Sequence, residues 1–574
     1  MNLEHFSCLW QNTDTPVSIE LGAESAHDLA LFELVAALCI EPRFKPHVER
    51  IISHFSGNVA TIAYRQDVFA DFMRSSLLVE GVKDVLPLLH ELKELNSREG
   101  DLSQLQLLMT RLSELELYVD VLNRLSSVLE KAKVESSALK ELQRLVLEIT
   151  TEQSFENMKQ KLPELRHSVS NLTSLTVGIN LDAQLRPSEA TLLSINSERF
   201  VGKTHSVTSF LMQKKPEFTG ITSLQSRDAK RGIGAVIMGA ISGNTMESGF
   251  GSGKVAISAS GKDRMLATFF ADLEKMLEDT TRPVAQVLKQ YIQVFSHPLL
   301  HLEAEFAFFL GAATLVKRLQ ALGIAMCKPD VKNPDAREDH FEGLTNVLLA
   351  LRFEKNGETD LGNKIVGNNI DFDDTGKIFI LTGPNSGGKT TFIQAVGLAH
   401  VLCQMGAHVP AKTASISPID SIYTHFPVEE KSESVTGRLG EESGRLNALF
   451  HKASRHSLVL LNESLSSTSP GEGVYLARDI LRAFRFLGVR AVFATHMHEL
   501  ADVDAINRQS EGLSTLASLV SVTKESGNEH RRTYRIERTA SKGISYASDV
   551  ARKYAISYQQ LLEILEKRQP SDTK

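Results

Sequence analysis

The chain has 574 residues, of which 42% are hydrophobic and 23% charged, so we expect a globular protein of several domains, each about 100–200 residues long. Its formal net charge of −7 excludes a uniformly basic nucleic-acid coat and leaves room for a local basic face. The four cysteines form no C-x-x-C pair, which predicts a cytoplasmic protein with no zinc site or disulfide framework. The first residues lack the pattern of a signal peptide. No run of about 18 apolar residues occurs, so no membrane span is expected.

The segment from Asp28 to Val169 is predicted to be helical almost throughout. Its apolar residues recur at steps of three and four, which places them on one stripe of a helix. The clearest stripe consists of Leu102, Leu105, Met109, Leu112, Leu115, Val119, Leu122, Leu125 and Leu129. So long a helical region indicates a lever or bundle rather than a compact enzyme core, and the periodicity alone fits an ordinary helical bundle equally well.

The pattern changes between Ser170 and Lys262, where glycine, serine and threonine rise and short strand-like runs replace the helical stripes. Basic residues cluster in this segment, namely Arg199, Lys203, Lys214, Lys215, Arg227, Lys230 and Arg231. Such a cluster could contact phosphates, although a solvated surface is the more common arrangement. The run Gly249–Lys254 lacks the four-residue gap and the following Ser or Thr of a phosphate loop, so we interpret it as a turn.

Helices are predicted to return from Asp263 to about Ala325, with Leu266, Phe269, Leu273 and Leu277 at helical steps. A polar segment from Lys328 to Glu342 is interpreted as a linker. After it, apolar strands alternate with helices, which predicts a mostly parallel sheet covered by helices. The sequence thus predicts four segments: a helical region (residues 1–169), an insertion (170–262), a helical return with a linker (263–345) and an α/β domain (346–574).

A predicted strand, Lys377–Leu381, runs directly into a glycine-rich loop, and a helix is predicted from Thr391 to about Cys403. Glycines let the backbone wrap a phosphate, and the helix N-terminus adds partial positive charge. The candidate nucleotide-binding residues are Gly383, Pro384, Asn385, Ser386, Gly387, Gly388, Lys389, Thr390 and Thr391. In this pattern Lys389 reaches the β- and γ-phosphates and the Thr390 hydroxyl ligates magnesium, which predicts ATP and Mg²⁺ as ligands.

Two further apolar strands are predicted, Ser457–Glu463 and Val489–His496, and each ends in polar residues. The first strand ends in Asn462 and Glu463. The position of Asn462 is normally an Asp that supports magnesium, whereas a neutral amide can only accept a hydrogen bond from a magnesium-bound water. Glu463 is placed to orient or deprotonate the attacking water, and His496 to hydrogen-bond the γ-phosphate. We predict Glu463 and His496 as catalytic residues, and Thr390 and Asn462 as the magnesium site.

These residues together resemble the ATPase of the MutS family of DNA mismatch-repair proteins. The family's T-G-P-N-x-x-G-K-S-T is similar to Thr382–Thr391, its G-x-x-V-P-A to Gly406–Ala411, and its A-T-H-Y-x-E-L to Ala494–Leu500. Further similar segments are Pro418–Asp420, Ile422–Thr424, Thr533–Ile536 and Ser545–Tyr546. Upstream, Tyr64–Asp67 and the long helices look like the family's core and lever domains.

The resemblance implies a multidomain fold, in which a helical core and lever region precedes an α/β P-loop NTPase domain, an ATPase head of the ABC type. It also implies a DNA-clasping clamp, full or reduced, at residues 170–262, and a homodimer formed through the ATPase domains with a C-terminal dimerisation segment. DNA is the implied partner, and no membrane is involved.

The sequence departs from the family pattern in three places. The family's D-E-x-G-R-G-T-S-T is Asn462–Pro470 here, which lacks the charged magnesium supporter and the Gly-Arg-Gly. Its S-T-F-M-x-E-M, which meets the partner's nucleotide, aligns with Gly437–Ser443, where Glu442 keeps the acidic position and Arg438 either contacts phosphate across the dimer or is simply solvated. No Phe-x-Glu, the family's mismatch-sensing element, occurs in the first fifty residues.

The leading hypothesis is a dimeric MutS-like protein that binds and hydrolyses ATP and acts on DNA without sensing mismatches. The alternative is a nucleotide-gated structural or adaptor protein that binds ATP, hydrolyses it slowly or not at all, and acts on protein partners. Asn462 and the absent Gly-Arg-Gly favour the second hypothesis, whereas the intact phosphate loop favours neither.

Overall fold

A computed structural model describes residues 6–11, 18–97, 104–170, 174–181, 187–196, 297–384, 387–427, 437–509, 511–526 and 529–539, with residues 3, 183, 184 and 560 as single positions or pairs. Several predictions lie outside these described residues. They concern the basic cluster between Arg199 and Arg231, the run Gly249–Lys254, the helical stripe between Leu266 and Leu277, and Ser545–Tyr546.

The described part of the chain combines a helical region with mixed α/β sheets. Its helices are α1 (Ala23–Asp28), α2 (Leu31–Leu38), α3 (Lys45–Ser53), α4 (Val59–Arg74), α5 (Ser76–Ser97), α6 (Gln104–Ala132), α7 (Ser137–Thr151), α8 (Gln153–Ser170), α9 (His297–Ala321), α10 (Val347–Lys355), α11 (Leu361–Lys364), α12 (Lys389–Gln404), α13 (Gly437–Lys452), α14 (Pro470–Leu487) and α15 (Val503–Gln509). Short 3₁₀ helices occur at Pro42–Phe44, Pro334–Ala336 and His498–Ala501.

Fourteen strands accompany these helices in the described residues. They are β1 (Ser18–Glu20), β2 (His54–Ser56), β3 (Ser174–Leu181), β4 (Pro187–Asn196), β5 (Asp330–Val331), β6 (Asp339–Leu344), β7 (Asn368–Phe372), β8 (Ile378–Thr382), β9 (Thr413–Ile416), β10 (Ile422–His425), β11 (Leu458–Asn462), β12 (Arg490–Ala494), β13 (Leu516–Ser526) and β14 (Glu529–Arg538). The strands predicted before the phosphate loop and before Glu463 and His496 correspond to β8, β11 and β12.

The chain divides into two compact units. The first comprises Met1–Glu4, Lys83–Glu130 and Gln143–Glu303, and the second comprises His5–Val82, Lys131–Leu142 and Ala304–Lys574. In the first unit, α6 buries the stripe that the three- and four-residue spacing predicts; its buried members include Leu112, Leu115, Leu122, Leu125 and Leu129. In the same unit, β3 and β4 form an antiparallel hairpin inside the predicted insertion.

The second unit contains a six-stranded sheet in the order β10-β11-β12-β8-β13-β14. Neighbouring strands are parallel except for the antiparallel pair β13 and β14. Every residue of β8, β11 and β12 is buried, as expected for central parallel strands covered on both faces. The prediction of a mostly parallel sheet covered by helices is therefore confirmed.

A second sheet of four strands, in the order β5-β9-β6-β7, occupies part of the segment interpreted as a linker. That interpretation is wrong, because Asp330–Val331 and Asp339–Leu344 are strands. In β6, Asp339 and Phe341 are buried and His340 between them is exposed, so the polar residues follow the alternation of a strand. The polar residues that indicated a linker include the buried Asp339. Hydropathy alone cannot distinguish a buried charged residue from a solvated one.

The N-terminal helices of the second unit pack directly on its α/β part. Asp28 at the end of α1 accepts a hydrogen bond of 2.7 Å from the Thr424 hydroxyl of β10. Leu29 packs against α12 so closely that a Cβ added at Gly397 would lie 2.7 Å from its Cδ2. The α/β part is thus stabilised by residues more than 300 positions away in the sequence.

One described helix, within α9, is long and apolar enough to cross a membrane by length and composition alone. This span, Leu299–Ala321, has 23 residues, and 78% of its apolar 18-residue window is buried inside the protein, which is the behaviour of a core helix. All four cysteines are free, as the sequence predicts.

Candidate nucleotide site

The carboxyl ends of three parallel strands meet at one edge of the six-stranded sheet. Asn462 of β11 lies opposite Ala494 of β12, and Ala494 lies opposite Leu381 of β8. The segments that follow these strands therefore start side by side, because parallel strands place their carboxyl ends at the same edge. In open α/β sheets this edge is where ligands bind.

Lys389 begins α12 and is only 5% exposed. Its ammonium group donates to the carbonyl oxygens of Gly383 at 3.0 Å and Pro384 at 3.1 Å. The Glu463 carboxylate lies 3.8 Å away. Burial lowers the pKa of Lys389, and the Glu463 charge opposes this shift. A buried ammonium group at a helix N-terminus, where main-chain N–H groups also point outward, fits an anionic phosphate.

The loop before Lys389 requires glycine at more than one position. Gly383 has a φ of +144°, and a Cβ there would come 2.6 Å from the Cβ of Ser521 on β13. Gly388 has a φ of +89°, in the left-handed region that L-residues disfavour. Ser521 also donates a hydrogen bond of 2.8 Å to the Gly387 carbonyl. Asn385 and Ser386 lie outside the described residues.

The two residues predicted to form the magnesium site lie next to each other. The Thr390 hydroxyl donates to the Asn462 side-chain oxygen at 3.2 Å. Two oxygens at this separation, beside the start of α12, fit a hard cation that also binds phosphate oxygens, since Mg²⁺ prefers oxygen ligands. Neither group carries a charge, so the site would hold the ion chiefly through the phosphates and water. Among the described residues no cluster of three or more His, Cys, Asp or Glu could hold a metal on its own.

Glu463 and His496, the two predicted catalytic residues, are in direct contact, with 2.7 Å between Oε1 and Nε2. The Glu463 side chain is 30% exposed and that of His496 39%, so both remain accessible to a ligand. The hydrogen bond from His496 is the main reason that the pKa of Glu463 lies below its usual range, and the charge of Lys389 adds to the effect. Glu463 is therefore ionised at neutral pH and able to accept a proton or orient a water.

The structure brings together Gly383, Lys389, Thr390, Asn462, Glu463 and His496 at one edge of the sheet. Thr391 lies in the first turn of α12, where its carbonyl accepts a hydrogen bond of 2.9 Å from the Asn346 side chain. Sequence reasoning missed Asn346 and Ser521, both of which brace the loop and its helix. No local motif marks either residue, because each contact joins positions 45 or more residues apart.

A glycine loop between a buried parallel strand and a helix, a buried lysine at the helix start, and a carboxylate that follows another parallel strand of the same sheet define an α/β domain of the P-loop ATPase class. The family model "MutS domain V" matches residues 379–566, which include all of these groups from Gly383 onward. The model "MutS2 N-terminal domain" matches residues 57–322. The chain belongs to the MutS family.

Individual relatives match this chain over less than a third of their own length. The DNA mismatch repair protein MutS of Prochlorococcus marinus (strain MIT 9301) is 34% identical over 154 residues, which are 27% of this chain and 17% of that protein. The protein of the same description from Streptococcus sanguinis (strain SK36) is 29% identical over 237 residues, 39% of this chain and 27% of the relative. Endonuclease MutS2 of Thermus thermophilus is 30% identical over 241 residues, 42% of this chain and 31% of the relative.

Proposed function

We propose that this chain is a MutS-like protein that binds and hydrolyses ATP with Mg²⁺ and acts on DNA as a cytoplasmic homodimer. The observation that carries the ATPase part is the grouping of Lys389, Thr390, Glu463 and His496 around one loop. The relatives named for DNA mismatch repair support the DNA part. Mismatch recognition is not part of the proposal.

Each group has a role that its surroundings support. Lys389 holds the terminal phosphates, since its ammonium group is already desolvated beside the loop. Thr390 and Asn462 would hold Mg²⁺, which neutralises phosphate charge when bound. The Glu463 carboxylate orients the attacking water and accepts its proton, and His496 donates a hydrogen bond toward the γ-phosphate position.

Replacing Glu463 with glutamine removes the proton acceptor and keeps the shape of the side chain. We expect the single-turnover rate of ATP hydrolysis to fall on the order of 10²–10⁴-fold, because that is the usual contribution of a general base. The affinity for ATP should change less than about threefold, since a glutamine of the same shape loses only the charge that faces His496 and Lys389. Rapid-quench hydrolysis and equilibrium binding of a fluorescent ATP analogue measure the two quantities.

Glu511→Gln is the matched control, because Glu511 is an exposed glutamate of the same unit. It should leave both quantities unchanged. Equal hydrolysis rates in the native protein and the Glu463→Gln variant would show that Glu463 does not carry the chemistry. That result, with tight ATP binding, would favour the alternative function, a nucleotide-gated adaptor with slow or absent hydrolysis that acts on protein partners. The neutral Asn462 is the feature that favours this alternative.

The DNA part predicts binding of duplex or branched DNA at low salt and a roughly linear fall of log affinity with log salt, since phosphate contacts release counterions. Fluorescence anisotropy at several salt concentrations measures this slope. Affinity for matched and mismatched duplexes should agree within about threefold, because no mismatch-sensing element is proposed. No binding at about 50 mM salt, where phosphate contacts are strongest, would contradict the DNA part and leave the ATPase part standing.

A further inference from the structure

The turn that carries Glu463 is backbone-strained. Glu463 has a φ of +52° and Leu465 a φ of +64°, both in the left-handed region that non-glycine residues seldom adopt. Two such residues within three positions persist only where the surroundings hold them. The groups that hold this turn therefore decide where the Glu463 carboxylate points.

Glu442, in the second turn of α13, contacts this turn through its side chain. Its Oε2 accepts hydrogen bonds from the Leu465 main-chain N–H at 3.1 Å and from the Ser467 hydroxyl at 2.9 Å. Glu442 is only 9% exposed, so these bonds are shielded from water and stronger than surface bonds. The carboxylate thus fixes the far side of the turn, two and four residues beyond Glu463.

Other contacts fix the near side. The Glu463 N–H donates to the Ala494 carbonyl at 2.8 Å, which joins the turn to β12. The Ser464 hydroxyl lies 2.7 Å from Nδ1 of the buried His425, and burial lowers the pKa of that histidine to about 4, so the ring is neutral at pH 7. The Leu465 side chain is 2% exposed and lies in the apolar core. The near side is therefore held by the sheet, and the far side by Glu442 together with the buried Leu465 side chain.

We propose that Glu442 is a positioning residue of the ATPase site, which holds the strained turn so that Glu463 stays beside His496 and Lys389. The inference rests on the proposed function, since it takes Glu463 as the group that acts on water. Glu442 contacts this turn at the Leu465 main-chain N–H and the Ser467 hydroxyl. It acts through the main chain of Leu465, and it therefore affects the rate of hydrolysis more than nucleotide binding.

Three variants of the full-length chain test this role. Glu442→Ala removes both hydrogen bonds, Glu442→Gln keeps an acceptor oxygen at the same place, and Ser467→Ala removes only the hydroxyl bond. Glu511→Gln is the matched control, because Glu511 is an exposed glutamate of the same unit that lies outside both α13 and the strained turn. Amide hydrogen exchange of the 463–469 segment, single-turnover hydrolysis of Mg-ATP and the Kd of a fluorescent ATP analogue are measured on each variant.

For Glu442→Ala we expect exchange in the 463–469 segment to rise about tenfold or more, because the Leu465 amide loses its acceptor. Hydrolysis should fall about 10–100-fold, the effect of a catalytic group misplaced by about 1 Å, with Kd changed less than about threefold. Glu442→Gln should restore both quantities to within about threefold of the native protein, and Ser467→Ala should give a smaller change in the same direction. The control variant should match the native protein.

Unchanged exchange in Glu442→Ala, or unchanged hydrolysis where the native protein is active, overturns the inference. Exchange that rises throughout α13, β11 and β12 together with a loss of ATP binding also overturns it, since that is a general structural role. If the Glu442→Ala variant does not fold, amide exchange and ATP hydrolysis are compared in Ser467→Ala and Glu442→Gln, and these two measurements test the inference instead. A native protein that binds ATP without hydrolysis contradicts the proposed function, while the exchange comparison still decides whether Glu442 holds the turn.

Discussion

Replacing Lys389 with alanine should weaken ATP binding on the order of 10²–10⁴-fold and leave the fold intact. The ammonium group is the buried cation at the start of α12, and hydrogen bonds between charged groups contribute about 1.5–3 kcal/mol each. Two such bonds to phosphate oxygens give about 3–6 kcal/mol, which is the stated range. Alanine is a strong helix former, so α12 should begin as before. Titration of the variant with a fluorescent ATP analogue and Mg²⁺ measures the loss.

Lys355→Ala serves as the control, because Lys355 is an exposed lysine in the last turn of α10. It should bind ATP as the native protein does. The Lys389→Ala variant should also keep its melting temperature without nucleotide, since the lysine is buried at a cost that alanine does not incur. If the Lys389→Ala variant binds ATP with native affinity, the nucleotide does not bind at this loop. The proposed ATPase function would then be wrong.

The parts of this site that were predictable from sequence are contiguous in the chain. The strand, loop and helix around Lys389 need only local signals: an apolar run, glycines and a helical period. Glu463 and His496 were predictable because each follows its own buried strand, and parallel strands bring their carboxyl ends to one edge. Their pairing at 2.7 Å follows from that shared edge. The family resemblance is confirmed by the two MutS family models.

Long-range contacts were not predictable in the same way. Ser521 is one of several hydroxyl residues of β13, and it lies 134 residues from the Gly387 carbonyl that it contacts. Glu442 was placed at an acidic position of the family pattern, but its contact with the Leu465 amide depends on how α13 packs against the sheet. The error at β6 has the same origin, because Asp339 is polar in sequence and fully buried in the fold.

Replacing Arg490 with leucine should destabilise the second unit by about 3–5 kcal/mol, because it removes the guanidinium group that pairs with the buried carboxylate of Asp339. Both Arg490 and Asp339 are 0% exposed, and one guanidinium nitrogen donates to the two Asp339 oxygens at 2.8 Å and 2.9 Å. Urea unfolding followed by fluorescence measures the loss. Trp10 is the sole tryptophan and stacks under Arg65 at 4.3 Å in the same unit, so its emission reports this unit.

Lys364→Met is the control for this prediction, because the Lys364–Glu358 pair is exposed and such pairs contribute at most about 1 kcal/mol. The double variant Asp339→Leu with Arg490→Leu should recover much of the loss, since buried pairs are often replaceable by apolar residues.

Burial alone would raise the pKa of Asp339, but the charges of Arg490 and His400 outweigh it and hold the pKa below its usual range. The pair's contribution is therefore complete above about pH 4, the ordinary pKa of an aspartate, and falls as pH drops through the lowered value. The difference between the native protein and Arg490→Leu should narrow over that acidic range, and a difference that stays constant would assign the loss to packing rather than to the charge of Asp339.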